Sequence, residues 1–165
     1  MPATYVVGTT LVYPHHGAVT ITGLTTRDVK GIPTKYMTLR VHSSDLIIQA
    51  AIDKAGDLGV RDVIDQAGVD KVYALLQAGG VEEAANWSRR FKDNQSKMIS
   101  GDVYKVAEVV RDVWRREQDK GISAGEKSML SRARQVLVSE LALAQNTTTG
   151  DADTWLLEAL QTPTQ

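Results

Sequence analysis

The chain has 165 residues, with 19 Lys/Arg against 20 Asp/Glu, a formal net charge of −1 and no cysteine. That length suits one ordinary domain or two small ones. The missing cysteines exclude a disulfide framework, a thiolate zinc site and a cysteine nucleophile, and fit a reducing compartment.

Residues 9–50 read as β structure. "TLVYP", "GAVTITGL", "KYMTLRVH" and "DLIIQA" are short, rich in β-branched and aromatic residues, and separated by turn signals. Gly31 stands at a hairpin position and Pro33 where a strand can begin. Alternation of Tyr36, Thr38 and Arg40 with Met37, Leu39 and Val41 predicts one covered face. Four or five such strands in fifty residues make a small barrel or a strongly bent sheet, which has little core and would gain from docking on something else.

The period changes at residue 61. "RDVIDQAGVDKVYALLQAG" predicts a short helix and a second of about three turns, ended by Gly79-Gly80. Residues 87–98 predict another helix, with Asn86 as N-cap and Trp87, Phe91 and Met98 near one stripe. Residues 102–120 place Val103, Val106, Ala107, Val110, Val113 and Trp114 on an apolar face, opposite Lys105, Glu108, Arg111, Asp112, Arg115 and Arg116. Residues 124–145 repeat the pattern with Leu130, Ala133, Leu137, Leu141 and Ala144, and residues 152–160 form a last helix carrying Trp155. The tail after it is expected to fray. The fold class is therefore α+β in two modules, a small β-barrel or bent sheet at residues 1–55 and an all-helical domain at residues 61–165. The N-terminal stretch lacks a signal peptide's basic and apolar regions, and no run approaches 18 uncharged apolar residues.

Chemistry finds little support. "GISAG" (121–125) fits the G-x-S-x-G nucleophile pattern, but a charged helix precedes it and His15, His16 and His42 all lie upstream of Ser123, against the usual order. Ser123 and Glu126 fit a capping box better. Adjacent His15 and His16 would point apart on a strand, which disfavours a shared metal. No phosphate-binding glycine loop occurs. The expectation is a non-enzyme without cofactor or metal.

Charge is uneven. Residues 86–134 hold twelve Lys/Arg and seven Asp/Glu, while the last twenty residues hold three acids and no base. Arg89, Arg90 and Lys92 crowd one helical turn, and Arg111, Arg115 and Arg116 follow on the next helix. These groups suit backbone phosphates, or an internally paired surface in which Asp112 and Glu108 take part. Trp114 and Trp155 read as core. Trp87, in a first turn beside cations, reads either as half-buried packing on Phe91 or as an aromatic wedge for a minor groove.

The sequence resembles the CarD/CdnL family of bacterial RNA-polymerase-binding transcription factors, and looks like its actinobacterial CarD branch. The likeness runs from about residue 7 to about residue 145. It is carried by "VYPHHGA" (12–18), "GVRDV" (59–63), "NWSRRFK" (86–92), "SGDVYKVAEVVRDVWRREQDKGISAGEKSML" (100–130) and "SRARQVLVSELALA" (131–144). The resemblance implies a Tudor-like N-terminal module, similar to that of the transcription-repair coupling factor, docking on the β1 lobe of the RNA polymerase β subunit. It would do so through Arg27, Ile48 and Gln49, and the sequence departs from the family pattern at Gln49 (arginine in relatives) and Ala51 (proline). It also implies a DNA-binding helical module lying at the upstream edge of the transcription bubble of a housekeeping sigma-factor holoenzyme. There Trp87 would wedge at the fork and stabilise the open complex, as at ribosomal RNA promoters. Arg89, Arg90 and Lys92 would lie near the DNA backbone there and Lys127 in a further basic patch, while Arg111 and Arg116 join the expected DNA-binding set on their charge and helix position rather than on the resemblance. A cytoplasmic, nucleoid-associated protein is implied. The alternative is a protein–protein adaptor that uses Trp87 without touching DNA.

Overall fold

A computed structural model describes residues 5–78 and 86–161. Among the described residues five strands come first, β1 (Thr10–Tyr13), β2 (Gly17–Val29), β3 (Ile32–Val41), β4 (Ile47–Ala51) and β5 (Arg61–Asp62). They form one antiparallel sheet in the order β4-β3-β2-β1-β5. With β4 and β5 at opposite ends of that order, the sheet is bent and open; it does not close into a barrel.

Two local features shape it. The β2–β3 register pairs Val29 with Ile32, leaving Lys30 and Gly31 as a two-residue turn with φ of 52° and 81°. Positive φ at both positions is the hairpin geometry that glycine favours. Between Ile21 and Gly23 the register shifts by one residue, and such a bulge bends its strand. Before the bulge, Ala18, Val19 and Ile21 are buried; beyond it, residues 24–29 are exposed, so the hairpin projects.

The described residues then form five α-helices: α1 (Gln66–Gln77), α2 (Trp87–Ile99), α3 (Val103–Asp119), α4 (Ala124–Ala144) and α5 (Thr149–Gln161). The stripe Val103, Val106, Ala107, Val110 and Val113 is buried as its spacing predicts, against Val72, Leu76, Leu137, Leu141 and Leu156. Trp114 and Trp155 are half-buried against this core, and Trp155 meets the Tyr73 ring at 5.4 Å. The predicted short helix at the start of this region does not form. Arg61 and Asp62 extend the sheet instead, pairing with Val12 and Leu11. The predicted Gly79-Gly80 terminator and the end of the tail lie outside the described residues.

The sheet has its own core of Leu11, Val19, Ile21, Met37, Leu39 and Val41. It is joined to the helices through α4, whose residues 136–142 are all buried because helices pack on one side and β2 on the other. Ser139 Oγ accepts from Ala18 N (3.2 Å) and donates to Val136 O (2.8 Å). Gly17 is at φ +80°, and a Cβ there would sit 2.9 Å from Ser139 Oγ, so no side chain fits. Beside it, Glu140 takes both terminal nitrogens of Arg61 (2.7 and 2.8 Å) and the Ile64 N–H (2.9 Å).

Candidate nucleic-acid interface

Asn86 caps α2, its Oδ1 accepting from Arg89 N at 3.2 Å, as the sequence predicts. This starts the helix at Trp87 and sets the indole on the first turn. The ring stacks on Phe91 four residues on, centroids 5.1 Å apart and planes 17° apart. Its Nε1–H donates to Glu126 Oε1 at 3.1 Å. Even so, Trp87 remains 46% exposed. Phe91 rests in turn on Gly125, where a Cβ would lie 3.4 Å from Phe91 Cε1.

Glu126 ties α2 to α4. It belongs to the capping box with Ser123, whose N–H and hydroxyl both donate to Oε1 (3.3 and 3.2 Å), while Glu126 N donates to Ser123 Oγ (3.2 Å). Arg90 Nε lies 3.5 Å from Oε2. Burial alone would raise this carboxyl's pKa. The bonds from the Ser123 backbone, the Trp87 indole and the Ser123 hydroxyl, with the Arg90 charge, outweigh it and hold the pKa below its ordinary value. Ser123 is thus a helix cap, and the hydrolase pattern around it is coincidental.

The basic residues expected here divide. Arg89, Lys92 and Lys127 are exposed, and the first two lie three residues apart on one side of α2. Arg90 is only 5% exposed and faces Glu126. Arg111 is 3% exposed, bonded through Nε and Nη2 to Asp112 (2.7 and 3.3 Å) and through Nη1 to Leu75 O (3.1 Å). Arg115 donates to Leu76 O (2.9 Å) and Ala78 O (2.6 Å). Both arginines serve the carbonyls at the C-terminus of α1, where positive charge also suits the helix dipole. Arg90 and Arg111 therefore leave the set of exposed cations expected from the sequence: neither presents its guanidinium outward. Arg116 is half-buried and has a partner of its own.

On the sheet, Arg27 is exposed near the hairpin tip, its guanidinium 5.4 Å from the Tyr36 ring centre. Ile48 and Gln49 lie on β4, an end strand, opposite Leu39 and Thr38. Ile48 packs partly on the sheet core while Gln49 is exposed. Ile47 on the same strand and Leu46 just before it leave apolar surface open beside them.

Among the described residues, no three His, Asp or Glu side chains gather to hold a metal ion. Arg132 donates to His15 O (3.0 Å) and lies 3.3 Å from His16 Nδ1. Burial and then this guanidinium lower both imidazole pKa values, pushing the rings toward the neutral form. Among the described residues no helix is long and apolar enough to cross a membrane.

An open sheet edge and an outward tryptophan among cations are features of a two-part protein with surfaces suited to binding. Comparison with known families agrees with that class. Residues 5–64 match the CarD-like/TRCF RID domain and residues 71–157 match the CarD C-terminal domain. A protein of Bacillus subtilis (strain 168), "Putative transcription factor YdeB", is 30% identical over 142 residues, covering 86% of this chain and 93% of that protein. The chain belongs to the CarD/CdnL family of transcription factors, and is a transcription regulator rather than an enzyme.

Proposed function

We propose that the protein docks through its β sheet on the β1 lobe of the RNA polymerase β subunit and stabilises the promoter open complex by placing Trp87 at the upstream fork of the bubble. Arg27 and the β4 segment with Ile48 and Gln49 form the polymerase contact. Arg89, Lys92, Lys127 and Arg116 lie toward the DNA backbone of the holoenzyme's promoter. The observation that carries this reading is the half-exposed indole, fixed by Phe91 and Glu126 beside the exposed Arg89 and Lys92. An aromatic wedge needs such exposure together with cations beside it.

Opening is a balance of two states, and a ligand shifts it only by its preference for one of them. An indole that fits only an unwound fork supplies that preference, on the scale of base stacking, about 1–3 kcal/mol. A protein already tethered to polymerase gains effective concentration and needs little free affinity for DNA, in keeping with a net charge of −1.

The test is open-complex lifetime on a ribosomal RNA promoter. Trp87→Ala is expected to shorten it about five- to 150-fold, the kinetic equivalent of those energies, with polymerase binding preserved. An unchanged lifetime would remove Trp87 from the fork. A protein–protein adaptor would give the same loss without steep salt dependence on forked DNA.

A further inference from the structure

The Glu126 carboxylate is buried, yet it does more than cap α4: it reaches across to α2 and accepts the indole N–H of Trp87. We propose that Glu126 is the positioning residue of the Trp87 wedge, holding the ring in one orientation and taking up its only polar group, so that Trp87 meets nucleic acid through hydrocarbon alone. This rests on the proposed role of Trp87 at the fork and adds how the ring is presented and what it can read.

Two constraints fix an indole at two different places. Phe91 covers a face at 5.1 Å and Glu126 holds the N–H edge at 3.1 Å. Glu126 is itself immobilised, by two bonds from Ser123 and by Arg90. A ring held in this way need not lose rotamer freedom on binding, which is how preorganisation adds affinity. An indole whose N–H is already satisfied has no donor to offer a base edge. Its contact with DNA is then stacking and shape, tolerant of base identity because every base has a π-face. Arg90, which the sequence places among the DNA-facing cations, serves this arrangement from inside.

The experiment compares Glu126→Met, Glu126→Gln and Trp87→Ala in the full-length chain. It reads open-complex lifetime with polymerase and hydrogen exchange of the Trp87 indole N–H, whose resonance is assigned by its loss in Trp87→Phe. The wild-type N–H is expected to exchange at least about tenfold more slowly than an exposed indole. Glu126→Met should abolish that protection and shorten the lifetime about three- to tenfold. Glu126→Gln keeps an acceptor and the cap, and should recover both to within about twofold of wild type. An unprotected N–H in the wild-type chain overturns the positioning role, a result that holds even where Glu126→Met does not fold. So does a folded Glu126→Met with wild-type lifetime while Trp87→Ala shortens it, an outcome that leaves the fork reading standing. No effect of Trp87→Ala overturns the fork reading itself, and with it the part Glu126 plays there.

Discussion

Arg89 and Arg90 are neighbours, but the chain turns one outward and the other toward Glu126. Arg111 and Arg115, on the next helix, face α1 and close its last carbonyls. Periodicity alone places Arg111 and Arg115 on a polar face, because a helical repeat records which side is apolar and not what arrives at the other side. Their partners are carbonyls of residues 75–78, some 36 positions away in sequence, and nothing local announces them. Asn86 and the Ser123–Glu126 box were legible because a cap is a local geometry with its own residue types. The bond from Trp87 to that same Glu126 was not, since it depends on how α2 and α4 cross. The two kinds of arginine should separate by experiment. Removing Arg89 and Lys92 together is expected to lower the slope of log affinity for forked DNA against log salt by about 1–2, with thermal stability unchanged. Arg111→Ala should leave that slope alone and cost about 1–3 kcal/mol by denaturant unfolding, because it strands a buried carbonyl and Asp112. Equal salt slopes for the two variants would remove the distinction drawn between them.

At the scale of elements, strands and helices with a clear repeat were readable, and the exception is instructive. β5 has two residues, too few to show alternation, and it exists because β1 offers a free edge to them. The β2–β3 hairpin was readable from Gly31, and the bulge near Gly23 was not, although it divides a buried half of β2 from a projecting one. The projecting half carries Arg27, whose guanidinium over Tyr36 is supported from within the hairpin. Because Arg27 is exposed, reversing its charge costs the hairpin only that contact, about 0.5–1 kcal/mol, and acts mainly on whatever the hairpin meets. Arg27→Glu is expected to weaken binding to the polymerase β subunit while the helical core melts at its usual temperature. Calorimetry giving the same affinity for both proteins would move the docking surface off this hairpin.

For the whole molecule, the decisive contact is one that neither module's pattern contains. Sheet and helices have separate cores, and α4 packed on β2 with the Ser139–Ala18 bond sets their relative orientation in part. Glu140 adds a second tie at one end of the sheet: its carboxylate, 3% exposed, holds Arg61 of β5 by two bonds and the Ile64 N–H before α1. The same β5 that eluded the sequence pattern is thus the strand that carries the clamp. If the sheet is fixed on polymerase and Trp87 must reach a fork, the angle between modules is part of the function, because tethering helps only where geometry allows both contacts together. Glu140→Ala leaves a guanidinium that is about one-third open to solvent and an amide without its acceptor. Breaking a fully buried pair costs about 3–5 kcal/mol, and solvent reaching Arg61 lowers the expected loss to about 2–3 kcal/mol. The variant should also split a single unfolding transition into two, and shorten open-complex lifetime although neither Trp87 nor the sheet surface has changed. A variant that unfolds in one step at a lower temperature, with full lifetime at 25 °C, would show that the clamp supplies stability alone and that the modules need no fixed angle to act.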